Sequence, residues 1–365
     1  MDTLLNRFIK YVQCGSESHN ERDFCELIEH ELDELGIRHD RQEVGLSLGS
    51  NGWNILAKVQ GNPDKKPFLF VFHLDTVAPG NGIEVAVDNG TIQSKGNTIL
   101  GADGKLAIAL VLDAIANLQK AEGLNRPVEM LFTVCQEVGL EGSFYADYSH
   151  IESEEALVID HFVLGEALTH TPCRTCFNIE LFGRSSHVIT GYEDSANALK
   201  AAVDIVHQID LGRISDSLSI NVSDFVSLSK TNIIPQYARF DLEIRAFNEG
   251  EMQASIHRVR SLAESVSEKT GCTFKMKETN IIPAADFGVH TDVFERLEEI
   301  YKNSGLTLKR ARSFGCLDAT CINNIGIKTV PLGINIYNSH SVRERIEFEE
   351  MQQASKLIKN IILNF

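Results

Sequence analysis

Residues 67–77 read PFLFVFHLDTV, and the fold turns on this stretch. Five apolar residues, 68–72, run without interruption into His73-Leu74-Asp75. An unbroken apolar run bounded by proline and polar residues reads as a central strand of an α/β sheet, buried on both faces. Open α/β sheets place ligands beyond the carboxyl ends of their strands. Alternate strand residues share a face, so His73 and Asp75 point the same way. A metal-binding His commonly has a carboxylate that holds it in place. His-x-Asp at a strand end therefore suggests a ligand with its orienting acid. Taken alone, the pair reads more readily as a surface His beside a solvated Asp, and the rest of the chain has to decide.

The composition is that of a soluble globular protein, with 43% hydrophobic and 23% charged residues. A length of 365 residues suits about two domains. The net charge is −17, with no basic cluster, which makes nucleic acid and anionic membrane surfaces poor partners. The first residues, MDTLLNRFIKYVQ, have helical spacing and lack the basic start, apolar core and small-residue site of a signal peptide. No apolar run approaches the ~20 residues that span a bilayer. Eight scattered cysteines, mostly in apolar segments, suit reduced thiols and a cytoplasmic location. Cys173-Arg-Thr-Cys176 has no second pair to complete a zinc ribbon.

In chain order, apolar stripes predict helices around Leu4–Val12 and from Phe24 to a cap at Gly36, separated by a polar stretch at 15–20. Strands are expected at 54–59 and 68–72. Residues 106–118 are apolar nearly all round, a helix buried among other elements, with Asp103 at an N-cap-like place. Strands at 128–134 and 156–159 lead into Gln136-Glu137 and Asp160. Polar residues thus recur where one sheet edge would gather them. The segment 176–182 then alternates, as a strand with one solvated face does. It is followed by a helix at 195–209, strands at 224–227 and 238–247, a helix striped by Met252 to Val266 and a strand at 273–277. This strand-helix-strand-strand-helix-strand order is a ferredoxin-like unit, inserted into the first domain. Helices at 292–304 and 316–324, a strand at 329–332 and a closing helix at 348–363 return to that domain. The expectation is a central mixed sheet flanked by helices (1–170 and 281–365) carrying an inserted α+β lid (171–280).

The ordered motifs resemble the di-zinc metallopeptidase family of peptidase T, carboxypeptidase G and acetylornithine deacetylase. HLDTV is similar to its first metal motif, and GADGK (101–105) to its bridging-aspartate loop. TVCQEVG (133–139) resembles T-x-x-E-E-x-G. Asp160 to Glu166, DHFVLGE, resembles peptidase T's D-x-x-x-L-G-E. Ser339-His340-Ser341 with Glu344 resembles the terminal H-S/T-x-x-E, and Gly315-Cys-Leu-Asp318 the G-x-x-D turn. Gly183–His187, Asn232–Pro235 and Asp241–Arg245 are similar to the lid's histidine and substrate-binding segments.

The resemblance implies one metal held by His73 and Asp160, a second by Glu137 and His340, and Asp103 bridging the two. Asp75 would orient His73, His187 would reach a substrate oxygen, Asn232 would line the lid's substrate stretch, and Arg245 would clamp a substrate carboxylate. For Arg245, a strand-face salt bridge is the competing reading. Mixed His and carboxylate ligands suit zinc, and also manganese or cobalt. The implied activity is exopeptidase cleavage of short peptides, as in a tripeptide aminopeptidase, by a metal-bridging hydroxide. A homodimer through the lid is implied as well, although peptidase T-like members need not form one.

One position departs from the pattern. The family's first glutamate of the pair is the general base, and this chain has Gln136 there. An amide can hydrogen-bond a water but cannot take its proton. Loss of general acid–base help typically costs 10²–10⁴-fold in rate. Three readings follow: an engineered inactive variant, a natural slow hydrolase, or a silent peptide- or metal-binding protein. Glu141 lies past the Val138-Gly139 turn and is a remote replacement base. Within hydrolases, a carboxypeptidase or an N-acyl amino acid deacylase is the alternative.

Overall fold

A computed structural model of the chain describes residues 3–121 and 123–365. The first two residues of the expected catalytic domain, Met1 and Asp2, lie outside the described residues. The chain divides into two compact units. One comprises the chain up to His170 together with Asp286–Ser313 and Leu317–Phe365, and the other Thr171–Ala285 with Phe314–Cys316. The expected return at 281 falls inside strand Thr273–Ile282, which continues the second unit's sheet.

In the first unit the larger sheet, of nine strands, has its main strands in the order Arg38–Gln42, Asn54–Val59, Val128–Thr133, Phe68–His73, Glu155–His161, Lys328–Gly333, Glu166–Thr171. The three central strands are parallel neighbours, whereas Arg38–Gln42 and Asn54–Val59 are antiparallel, so the sheet is mixed. Every residue of Phe68–His73 and of Val128–Thr133 is buried, as their unbroken apolar character requires. Phe68, Phe70 and Phe72 belong to one large core with helices Thr3–Gln13, Lys105–Ala121 and Phe348–Asn364. Lys105–Ala121 is buried almost all round because these helices cover it on its outer side. Strand Arg38–Gln42, RHDRQ, escapes sequence reading because an edge strand that keeps its charges shows no apolar period.

The second unit has one antiparallel sheet, ordered Gly212–Arg213, Leu218–Val226, Tyr237–Ala246, Cys173–Phe182, Thr273–Ile282. Helices Ala198–Val206 and Glu249–Thr270 share its core, and their N-caps Asn197 and Asn248 each accept a backbone N–H. The third strand begins at Leu218, six residues before the expected 224. Its serines, Asn221 and a bulge at Ser223–Val226 break the alternation. Cys173 and Cys176 lie on opposite faces of their strand: the Cys173 thiol donates to the Ala246 carbonyl while Cys176 faces Glu243. All eight cysteines are free.

Candidate metal centre

Three adjacent parallel strands end on one level. His73 is paired in register with Thr133, and the Val71–Val158 pairing carried two residues further brings Asp160 beside His73. In-register residues of parallel strands share a face, so His73, Thr133 and Asp160 project together. The His73 Nε2 lies 3.2 Å from Asp103 Oδ1 and 3.8 Å from Asp160 Oδ1. The other Asp103 oxygen, Oδ2, lies 2.9 Å from His340 Nε2, which is 3.0 Å from Glu137 Oε1. Two trios of donor atoms therefore share one carboxylate. Donors about 2.0–2.2 Å from a common ion sit roughly 3–3.5 Å apart. The three shorter separations lie near that range, Asp160 stands farther off, and donor atoms of His73, Asp103 and Glu137 lie within 4.8 Å of one another.

Asp103 reaches this position from the loop before helix Lys105–Ala121. The loop turns at Gly104 (φ +74°), where a Cβ would meet the His73 carbonyl oxygen at 2.6 Å and be strained by the backbone itself. Glu344 holds the same loop, its carboxylate accepting the N–H groups of Leu100, Gly101, Ala102 and Asp103 at 2.9–3.3 Å.

Asp75 meets the His73 ring through its backbone carbonyl and keeps its carboxylate beside the same nitrogen. The His73 Nδ1 hydrogen-bonds the backbone carbonyl of Asp75 at 2.9 Å, while the carboxylate stands 3.6 Å away. A carbonyl only accepts, so Nδ1 carries a proton and Nε2 is the nitrogen that faces the site. The Asp75 carboxylate also accepts from the Gln136 and Glu137 N–H groups at 3.0 and 3.1 Å and from Ser18 Oγ at 2.7 Å. Glu21 takes the preceding N–H, that of Cys135, at 3.1 Å. Cys135 has φ +55°, and this chain of acceptors holds the turn that aims Glu137 inward. The Gln136 side chain is buried and its NH₂ donates to Asp160 Oδ2 at 2.9 Å.

The charges match a cation site. Burial pushes the Glu137 carboxyl up, and His340 only partly offsets it. Burial together with Asp103 and Glu137 holds Asp160 well above the carboxylate range. Asp103 is pulled well below that range, because its bonds to His340 and His73 outweigh burial. His340 is raised to about 10 by Asp103 and Glu137. Crowded carboxylates with inward-facing imidazoles are the donor set that suits divalent cations.

Sequence reading missed several supports. Ser18 and Glu21 lie in or beside the polar stretch at 15–20, which looked like an interruption between helices. Asp318, which the sequence marked only through the G-x-x-D resemblance and without a role, is buried and accepts from Thr133 Oγ1 at 2.6 Å. For Ser18 and Glu21, no signal short of the three-dimensional contacts distinguishes them from ordinary loop and cap residues.

The proposed substrate residues lie in the second unit. His187 is exposed, and its Nδ1 accepts from the Ile189 N–H at 3.3 Å. The neighbouring Asn232 is exposed and its carbonyl accepts from Val188 N–H at 3.2 Å. Arg245 is not a free fork: Nε and Nη2 bind Glu243 at 2.6 and 3.1 Å, and Nη1 binds the Phe314 carbonyl at 2.7 Å. The strand-face salt bridge is what the structure contains.

The profile of Peptidase family M20/M25/M40 matches residues 69–364. The chain belongs to this family. A curated M20 relative, peptidase T of Escherichia fergusonii, is 22% identical over 409 residues, covering 99% of this chain and 98% of its own. The crystal structure of aminopeptidase PepT from Bacillus cereus is 27% identical with a TM-score of 0.84, covering 98% of this chain and 97% of that one. A tripeptidase from Staphylococcus aureus shares the M20 fold at a TM-score of 0.91 and 22% identity, covering 98% and 96%. Among the described residues of this M20 chain, no helix is long and apolar enough to cross a membrane.

Proposed function

We propose that the chain is a metal-dependent exopeptidase acting on short peptides, in the manner of a tripeptide aminopeptidase, with His73, Asp103 and Asp160 around one divalent ion and His340, Asp103 and Glu137 around another. The observation that carries this is Asp103, whose two oxygens face two different imidazoles at 3.2 and 2.9 Å. Zinc suits the donors best, with manganese or cobalt as alternatives. When bound, such ions polarise a carbonyl and acidify a water. Asp75 and Glu21 hold the turn that carries Glu137. The second unit is assigned as the substrate-binding lid, with His187 donating to a substrate oxygen and Asn232 beside it. Similarity to aminopeptidase PepT and to a tripeptidase supports the amino-terminal, short-peptide preference. The bonds between Arg245 and Glu243 weigh against a carboxypeptidase or deacylase in which Arg245 reads a free carboxylate.

A second reading rests on Gln136, which accepts no proton and gives its NH₂ to Asp160. On this reading the chain keeps the metal cage but turns over slowly or only binds peptide. Hydrolysis of a tripeptide panel by the metal-loaded protein and by Gln136→Glu separates the two. A gain of about 10²–10⁴-fold in the Glu form establishes the peptidase reading and the lost base. Silence from both forms with metal bound favours the binding protein. Equal, robust turnover by both forms removes Gln136 from the base position.

A further inference from the structure

The Asp103 and His340 side chains meet although 237 residues separate them in sequence. Each comes from a loop with residues at positive φ. His340 sits at φ +61° in a tight turn, closed by the paired backbones of Tyr337 and Arg345 and by Glu344 N–H donating to the Ser341 carbonyl at 2.9 Å. Gly101, at φ +71°, and Gly104 flank the Asp103 stretch. For His340, a non-glycine residue, such a conformation persists only where neighbours over-determine it, whereas the glycines let their loop turn without strain.

One side chain spans both loops. Glu344, four residues after His340 and 1% exposed, aims its carboxylate at four consecutive amides, those of residues 100–103. Oε2 takes Leu100 and Gly101 while Oε1 takes Ala102 and Asp103, so both oxygens are committed. A buried carboxylate is costly unless fully hydrogen-bonded, and here it is. Any rotation of the Asp103 loop breaks bonds to the very turn that carries His340.

We propose that Glu344 is a positioning residue for the metal centre: by holding amides 100–103 and the His340 turn in one frame, it sets the separation of Asp103 and His340, and through it divalent-ion affinity. This rests on the metal-dependent reading above. The test is calorimetric titration of metal-stripped protein with zinc, comparing wild type, Glu344→Gln, His340→Ala and the double variant, with circular dichroism reporting the fold. Glutamine preserves the size but turns an NH₂ against two of the four amides. Folded Glu344→Gln is expected to bind zinc about 10–100-fold more weakly. In the double variant its effect should shrink, because the two changes act on one geometry. Unchanged affinity in folded Glu344→Gln, or full additivity with His340→Ala, overturns the proposal. Should Glu344→Gln not fold, Glu344→Asp, which withdraws the charge by one methylene, takes its place, and wild-type affinity there overturns the proposal equally. Failure of the wild type to bind zinc, manganese or cobalt would sink the metal-dependent reading itself, an outcome distinct from normal wild-type binding that Glu344 does not influence.

Discussion

The two sheets treat polar residues in opposite ways. In the first unit, strands Phe68–His73 and Val128–Thr133 are buried along their whole length, so polar side chains find room only at the strand ends. There His73, Thr133 and Asp160 crowd together, and burial makes the charges of His73 and Asp160 depend on partners. In the second unit, Cys173–Phe182 and Tyr237–Ala246 alternate strictly between buried and half-buried positions. Polar residues spread along the open face and neutralise one another: Arg174 and Arg245 on Glu243, Asn178 on Asp241, Tyr237 on Glu180. A sheet covered on both sides concentrates polar chemistry into a site, whereas a sheet covered on one side disperses it into a network.

The sharpest way to break this contrast is Asp103→Asn. Removing the shared carboxylate charge should lower zinc affinity by more than the roughly 10–100-fold typical of residues that only support a ligand, as read by calorimetry. Comparable binding in the variant would show that the strand ends do not form one site. Next comes Phe70→Ala, at a fully buried position of the central strand. It should cost about 3–5 kcal/mol in urea unfolding, since little can collapse into the space.

Glu243→Gln probes the dispersed network and should cost about 1–3 kcal/mol near neutral pH, because two arginines lose a charged partner. Burial raises the Glu243 carboxyl, but Arg245 and Arg174 outweigh it and hold it below the usual range. A depressed carboxyl contributes its stability fully above its unfolded value, near pH 4.3, and loses it as pH falls through the lower folded value. The gap between wild type and variant in urea midpoint should therefore be constant from pH 5 upward and narrow below about pH 4. The smallest effect is expected from Arg245→Met on peptide turnover, less than about tenfold in kcat/KM. A large rise in KM with kcat intact would instead return Arg245 to the role of substrate clamp.

The difference between the sheets also explains what could be read in advance. Buried strands and alternating strands have distinct local patterns, so 68–72, 128–134, 176–182 and 238–247 were legible. Edge strand Arg38–Gln42 and the bulged Leu218–Val226 were not, because charge and an extra residue erase the period. The ligand candidates stood out as polar residues ending apolar runs. For Arg245 a substrate clamp and a strand-face salt bridge both stood open, because its partners are a strand neighbour two residues away and the carbonyl of Phe314, and residue types alone do not say which contacts form.

By itself the sequence determined the two architectures, the order of the motifs, the candidate ligands and the amide at position 136, all properties of residue type and short-range spacing. Only the tertiary structure decided how each carboxylate is used. The Asp75 carboxylate serves two amides as well as standing beside the His73 ring, and Glu344 grips an amide 242 residues away at Ala102. A hydrogen bond is directional and lost within a few tenths of an ångström. Its partner is therefore chosen by long-range packing, which no local pattern encodes.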